Sequence, residues 1–200
     1  MFEQILHIRW HAIPALIVVT LVLTACATPA RTVSNKLDPL TSVTVTYSNT
    51  PLIVYRDSPA HAAHARNFVS LGPIEVNKSG AYKYYLWLGI WSTLQTDNLA
   101  EQQDGFESIV LIADGEPLLL DLAGWTPAAI ETSEPVYPRA FASSLDAYYR
   151  VTADQLRVIV KAGDLQLRTT GPSPLEFSLW GEQRSARIDL SEFLDYVLVN

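Results

Sequence analysis

The sequence is poor in cysteine and glycine, and this excludes several classes of protein. Cys26 is the only cysteine among 200 residues, so no disulfide can form within the chain and stability has to come from packing. Only nine residues are glycine, and no glycine-rich loop of the kind that holds phosphate groups is present. The sequence therefore predicts no nucleotide or other cofactor.

Positive charge is also scarce. The formal net charge is −7, and no lysine or arginine occurs between Lys83 and Arg139. Nucleic-acid-binding proteins carry basic patches, so the composition excludes nucleic acid as a partner. The acidic residues of the stretch 84–138 have two interpretations, namely solvated loops and strand ends or an acidic face that attracts a cationic partner. The first interpretation is favoured.

Motifs for catalysis are missing as well. No Gly-x-Ser-x-Gly nucleophile elbow occurs, and no spacing selects a catalytic pair among the carboxylates. His61 and His64 are the only histidines after residue 26. Their spacing places both on one side of a helix, where a metal ion could bridge them, but no third ligand lies nearby. A solvated pair is the favoured interpretation, so we predict no metal site.

The N-terminus carries the most informative pattern. Arg9 precedes an apolar run at 13–23, which is followed by small residues. A helix that spans a bilayer needs roughly 20 apolar residues, so this run is too short. A positive residue, a short apolar run and a small-residue end are typical of a secretory signal. The sequence therefore predicts a signal peptide at 1–25.

The end of that segment, Leu23-Thr24-Ala25-Cys26, resembles the lipobox of bacterial lipoprotein signal peptides. The resemblance covers residues 1–26 only. It implies that the preceding peptide is removed and that Cys26 is acylated, with fatty acids such as palmitate, and anchors the protein in a membrane. It also implies sorting to the outer membrane, facing the periplasm, because Ala27 stands where aspartate causes inner-membrane retention.

The domain organisation follows from the composition beyond Cys26. Residues 26–40 contain Pro29 and Pro39 and show no apolar periodicity, which predicts a flexible tether. The lipobox resemblance implies that this tether is lipidated at Cys26. Residues 41–200 have a length suited to one domain and carry enough valine, isoleucine, leucine and aromatic residues for a core. We therefore expect a single globular domain at 41–200.

Local signals in this domain predict mainly β-structure. Turn residues at 77–80 and the pair Asp114-Gly115, each between apolar runs, predict hairpins. Thr152 and Gln155 form a capping box that begins a helix at about 153–162. With about nine strands, this capped helix and one or two short helices, one of them beginning near Ser191, the sequence predicts an antiparallel β-sandwich or open barrel.

One predicted strand, at 81–93, is apolar on both sides and should be central and covered on both faces. Tyr85, Trp87 and Trp91 share one of its sides, where they would form either core packing, which is favoured, or an apolar groove for sugar, lipid or peptide. Trp180 is predicted to lie on the opposite side of the chain from its apolar neighbours and is therefore expected to be partly exposed, as at a partner site. These four aromatic residues are the candidate ligand-binding positions.

Taken together, these patterns favour a non-enzymatic binding or assembly module of the cell envelope, with an envelope protein as its partner. Two alternatives stay open. An envelope hydrolase using carboxylates would need a pocket with two acids of different pKa. A carrier of lipid or of another small molecule would need an enclosed apolar cavity.

Overall fold

The computed structural model describes residues 31–59, 62–94 and 103–198. Residues from Thr32 onward form one compact unit. Its strands are β1 (Val33–Asp38), β2 (Val43–Ser48), β3 (Leu52–Asp57), β4 (Arg66–Lys78), β5 (Ala81–Ser92), β6 (Ser108–Ala113), β7 (Glu116–Gly124), β8 (Leu145–Val151), β9 (Leu165–Thr169) and β10 (Glu176–Leu179). The α-helices among the described residues are α1 (Ala153–Lys161) and α2 (Arg184–Leu198).

The protein is mainly β, as predicted, but the sheet is a closed barrel and neither a sandwich nor an open barrel. Eight antiparallel strands form a ring in the order β4, β3, β10, β9, β6, β7, β8, β5 and back to β4. The prediction missed the closure because it depends on pairings between strands far apart in the chain. The shortest of these joins β3 to β10 through Tyr55 with Ser178 and Val54 with Leu179.

Strand β4 explains how two further strands extend the barrel. With 13 residues, β4 pairs along one edge with the whole of β5. Its other edge pairs first with β3, through Leu71, and then with β2, from Ile74 onward. Strand β1 lies outside β2 as an edge.

Strand β1 lies inside the segment that the sequence predicts as a tether. The folded unit therefore begins at Thr32 and not at residue 41. The strand is hard to recognise because most of its side chains are polar or exposed, including Leu37 at 62%. Charged and polar residues are common on edge strands, where they discourage pairing between molecules.

Both predicted hairpins are confirmed. Strands β4 and β5 are joined by Ser79 and Gly80, and strands β6 and β7 by Asp114 and Gly115. All four turn residues have positive φ, between 49° and 89°. Two-residue turns of this kind match the twist of the flanking strands, which is why their residues are readable in a sequence.

The capped helix is also confirmed. The Thr152 hydroxyl accepts a hydrogen bond from the Gln155 backbone at 3.1 Å, and the Gln155 side chain accepts one from the Thr152 backbone at 2.9 Å. The C-terminal helix α2 is longer than predicted and begins at Arg184. Ala186 and Leu190 already belong to the buried stripe that Phe193 continues, so Ser191 lies inside the helix.

The inside of the barrel is filled by side chains, as is usual for eight strands. Leu86, Leu88 and Ile90 of β5 point inward, and Ala147 and Tyr149 of β8 do the same. Buried residues of both helices belong to this inner core. Helix α2 packs against β1 and β2.

A second core lies on the outside of the barrel wall. The segment 125–144, here called the crossover segment, leads from β7 to β8 and covers the outer face of β2, β4, β5 and β8. This outer core consists of Val43, Val45, Ile74, Val76, Tyr85, Trp87, Ile130, Tyr137 and Tyr148. Strand β5 is therefore buried on both faces, which agrees with its apolar sequence.

Candidate functional site

An aromatic surface follows the outer wall beside the crossover segment. Phe68 of β4 and Trp91 of β5 are cross-strand partners. Their rings stack with centroids 4.1 Å apart and planes at 14°. On its other side Phe68 stacks against Trp180, with centroids 4.5 Å apart. Trp180 directly follows β10, and it reaches Phe68 because β10 pairs with β3 and β3 pairs with β4.

Two more rings extend this stack. Tyr55 of β3 lies 6.1 Å from Trp180, and Phe141 of the crossover segment lies 5.5 Å from Trp91, both between ring centroids. We call the five residues Tyr55, Phe68, Trp91, Phe141 and Trp180 the aromatic platform. Phe141 is 52% exposed and Trp180 is 44% exposed, whereas Phe68 is buried. Large rings are thus presented to solvent around a buried phenylalanine.

A cation borders the platform. The guanidinium carbon of Arg66 lies 5.7 Å from the centroid of the Tyr55 ring. The Nε of Arg66 also lies 2.9 Å from the carboxylate of Asp57. Arginine, tyrosine and tryptophan are the residue types that contribute most to protein interfaces.

Next to the platform lies a small cleft of about 110 Å³. The indole of Trp87 forms part of its wall and stacks on Tyr137, with ring centroids 4.5 Å apart. Two glycines make room for these rings. A Cβ atom would come within 2.5 Å of the Trp87 ring at Gly89, and within 2.4 Å of the Tyr137 ring at Gly72.

The polar atoms of this cleft are largely paired. The Trp87 Nε1 donates to Asp146 at 3.0 Å, and the Arg139 Nε lies 2.8 Å from the other oxygen of the same carboxylate. The Asp146 side chain is fully buried, so these partners offset the cost of its charge. The Tyr137 hydroxyl donates to the carbonyl oxygen of Pro73 at 3.0 Å. In the described part of the chain, the buried Tyr148 hydroxyl has no hydrogen-bond partner.

Comparison of the chain with protein-family models, with curated proteins and with solved structures finds no match. The fold and the site are therefore interpreted from their own geometry. Neither described α-helix combines the length and the apolar character that crossing a membrane requires.

The four candidate aromatic residues divide into two groups. Trp91 and Trp180 belong to the platform, where Phe68 separates them. Tyr85 and Trp87 lie in the outer core and are at most 3% exposed. The structure thus brings two of these residues together on the surface and places the other two beneath the crossover segment.

The remaining candidate positions lie elsewhere. His64 is exposed in a turn before β4, whereas His61 and the proposed lipidation residue Cys26 lie outside the described residues. Across the described ranges, no group of three or more potential ligands is arranged to hold a metal ion.

Sequence reasoning missed three platform residues. Phe68 could have been found, because the Ser79-Gly80 turn fixes the hairpin register and places Phe68 opposite Trp91. Tyr55 and Phe141 reach the platform through the barrel closure and the crossover segment. Their sequence neighbourhoods contain no local signal for either arrangement.

Two acids of the stretch 84–138 form ion pairs with lysines of the strands. Glu131 lies 2.9 Å from the Lys78 ammonium and also contacts Lys83, and these lysines lower its pKa to about 2. Glu134 lies 2.9 Å from the Lys36 ammonium. These pairs connect the crossover segment to β1, β4 and β5, so part of the acidic stretch contacts the fold itself.

Proposed function

We propose that this protein is a lipid-anchored binding module of the cell envelope, without enzymatic activity, that docks a protein partner on its aromatic platform. The observation that carries the proposal is the stack of Trp91, Phe68 and Trp180, with Trp180 and Phe141 about half exposed. Large exposed aromatic groups cost free energy in water, and contiguous apolar patches mark interaction sites.

The composition of the platform favours a protein as its ligand. Tryptophan, tyrosine and arginine dominate the energetics of protein interfaces because they bury large areas with few rotatable bonds. Here the rings of Trp91 and Trp180 are fixed by stacking on both sides of the buried Phe68. Rings that are already ordered lose little conformational entropy on binding.

The anchor belongs to the same proposal and depends on the lipobox resemblance at 23–26. In the proposed arrangement, Cys26 carries acyl chains in the outer membrane and the domain faces the periplasm. Several chains on one residue give durable retention, since each buried methylene contributes about 0.8 kcal/mol.

The geometry gives less support to the two alternatives. A carboxylate hydrolase needs two acids of different pKa in one pocket. Asp38 has a lowered pKa and Glu75 a raised pKa, but the strand register places them on opposite faces of the sheet. A carrier needs an enclosed cavity, whereas side chains such as Leu88 and Tyr149 fill the barrel.

Photo-crosslinking in living cells tests the platform. A benzoylphenylalanine at position 180 should give one discrete adduct with an envelope protein, identified by mass spectrometry. The matched control is the same residue at Leu119, which is 60% exposed and lies on β7, away from the platform. The Phe141→Ala substitution should reduce the adduct at position 180. Adducts equal at both positions, or none at position 180, would overturn the proposal.

Replacement of the proposed lipidation residue tests the anchor. The Cys26→Ser variant should lose its acyl groups and move from the membrane fraction to the soluble periplasmic fraction. Cell fractionation and intact-mass measurement provide the two readouts. A variant that stays in the membrane, or a wild-type protein that keeps residues 1–25, would contradict the anchor.

A further inference from the structure

A second pocket lies on the other face of the same strands, where β1, β2 and the ends of β4 and β5 meet helix α2. Its volume is about 220 Å³. Its lining includes Glu75, Thr46 and three tyrosines, namely Tyr82, Tyr84 and Tyr196. Among the described residues, its lining includes neither a platform residue nor a candidate position from the sequence.

The strand register explains why these groups meet. Glu75 of β4 lies between Thr46 of β2 and Tyr84 of β5 as cross-strand partner of both. Tyr82 precedes Tyr84 by two residues and therefore points to the same face. Tyr196 is contributed by the last part of α2.

The carboxylate of Glu75 is the unusual group in this pocket. The residue is only 6% exposed, yet the hydrogen bond to its carboxylate, from the Thr46 hydroxyl, is long at 3.4 Å. The ion pairs of the described residues include none to Glu75. Burial raises the pKa of this carboxyl group. A buried carboxylate with so little compensation is stabilised by any cation that reaches it.

The tyrosines indicate which kind of cation fits. Tyr82 is 57% exposed and Tyr196 is 48% exposed, whereas Tyr84 is half-buried, so the rings extend from the floor of the pocket to its opening. Aromatic faces attract organic ammonium groups, and cages of aromatic rings are used to recognise quaternary ammonium ligands. The volume is smaller than that of pockets for drug-sized molecules, which suits a head group.

We propose that this pocket binds an organic ammonium group, with the Glu75 carboxylate as its counterion and the rings of Tyr82, Tyr84 and Tyr196 around its carbon atoms. The ammonium group belongs either to a free small molecule or to a lipid head group. This site shares no residue with the aromatic platform or with the anchor. The ammonium-binding proposal can therefore fail while the proposed function stands, and the reverse also holds.

Calorimetry with choline chloride on the full chain, purified in a maltoside detergent, tests the binding. We expect saturable binding that tetramethylammonium displaces and that sodium chloride at equal concentration does not reproduce. The Glu75→Gln variant should bind at least about tenfold more weakly, because it keeps the shape but loses the charge. The Glu116→Gln variant is the matched control, since Glu116 is exposed at the β6–β7 turn and should leave affinity unchanged.

A second variant separates binding from folding. Tyr82→Leu removes a ring at the rim of the pocket, where the side chain is mostly exposed, so the fold should persist. Its affinity for choline should fall several-fold while its melting temperature stays unchanged. Wild-type protein that shows no saturable binding, or a Glu75→Gln variant that binds as well as wild type, would overturn the proposal.

Vesicle flotation distinguishes the two sources of the ammonium group. The Cys26→Ser variant is mixed with vesicles of phosphatidylcholine or of phosphatidylglycerol. Flotation with phosphatidylcholine alone, lost when Glu75→Gln is added to the Cys26→Ser variant, supports a lipid head group. Binding of choline without flotation supports a free small molecule. The absence of both would refute the site.

Discussion

The two faces of strands β4 and β5 are both covered, but by different kinds of packing. On the inner face, side chains such as Leu71 and Leu88 pack against inward-pointing side chains of the other barrel strands. On the outer face, the rings of Trp87 and Tyr137 lie flat over Gly89 and Gly72, beneath the crossover segment. The inner core joins strands that are distant in sequence, whereas the outer core attaches a single segment. This difference separates global stability from local stability.

Electrostatic contacts reinforce the distinction. The crossover segment is held by Asp38, whose carboxylate accepts hydrogen bonds from the hydroxyl of Ser133 at 2.8 Å, and by the Arg139–Asp146 ion pair. The inner face carries one buried acid in the described strands β4 and β5, Glu75, which has no such cationic partner. The outer core therefore has a charged pair, Arg139 with Asp146, of a kind that the inner face of the described strands β4 and β5 lacks.

Truncation inside the barrel should produce the largest effect. Leu88 is fully buried among residues of several strands, so Leu88→Ala leaves a cavity that no single segment can fill. We expect the free energy of unfolding to fall by about 3 kcal/mol. Urea denaturation followed by circular dichroism measures it. Leu119→Ala makes the same chemical change at an exposed position and should alter stability by less than about 0.5 kcal/mol.

Equal losses for the two leucine variants would contradict the assignment of Leu88 to the core. Hydrogen exchange adds a second criterion. Because the inner core supports every strand, Leu88→Ala should lower protection throughout the barrel and not in one segment alone.

Overpacking of the outer core should produce a smaller and more local effect. In Gly72→Ala the new Cβ would lie 2.4 Å from the Tyr137 ring, so the ring has to move. We expect a loss of about 2 kcal/mol, with faster hydrogen exchange mainly in the crossover segment. At Gly163 a new Cβ would meet only Asp114, at 3.4 Å, so Gly163→Ala is the control and should change little.

A double-mutant cycle makes this test sharper. If the cost of Gly72→Ala arises from contact with Tyr137, it should largely vanish in a Tyr137→Ala background. A cost that stays the same in both backgrounds would place the strain elsewhere. If Gly72→Ala lowered protection against hydrogen exchange uniformly across the barrel, the proposed difference between global stability in the inner core and local stability in the outer core would be wrong.

The effect of pH on the free energy of unfolding should have opposite signs for Glu75 on the inner face and Asp38 on the outer face. We expect this effect to be smaller than those of Leu88→Ala and Gly72→Ala. Burial raises the pKa of Glu75 above its usual 4.5, so the carboxyl group binds its proton more tightly in the folded than in the unfolded state. Ionisation of Glu75 therefore lowers the free energy of unfolding as pH rises above 4.5. Hydrogen bonds from Ser133 lower the pKa of Asp38 to about 2 from 3.8. That carboxylate therefore stabilises the fold above pH 3.8, and its contribution is lost as pH falls toward 2.

Denaturation of two variants across pH tests these signs. Glu75→Gln should be more stable than wild type at pH 8, and its advantage should shrink at pH 4. Asp38→Asn should be less stable than wild type at pH 7, and its deficit should shrink toward pH 2. A Glu75→Gln variant that is destabilised most at pH 8 would show that the carboxylate has a cationic partner.

Parts of the fold were predictable because their signals are local. The turns at Ser79-Gly80 and Asp114-Gly115 and the capping box of Thr152 involve residues within four positions of each other. The double burial of β5 was predictable because a strand that is apolar on both sides has to be covered on both sides. Strand β1 and the length of α2 were not predicted, since a polar edge strand resembles a linker and Ser191 resembles a cap.

The candidate site was predictable only in part. The sequence indicates Trp91 and Trp180 as candidate residues, and the hairpin register places Phe68 opposite Trp91. Nothing in the sequence indicates that Trp180 also stacks on Phe68 or that Phe141 lies beside Trp91. The pocket around Glu75 combines five elements, namely four strands and helix α2, which lies far from those strands in the chain. Single acids and tyrosines carry no signal until strand register and helix packing bring them together.

The sequence by itself determined the β-rich composition, the two tight hairpins, the capped helix and the lipobox resemblance, because each depends on neighbouring residues or on composition. Only the tertiary structure decided that the sheet closes, which face of each strand is inside, and where the crossover segment lies. Those features require contacts between distant parts of the chain, whose loop-closure entropy is offset only when the whole core forms at once. The aromatic platform arises from that closure, whereas the Glu75 pocket arises where helix α2 packs beside β1 and β2.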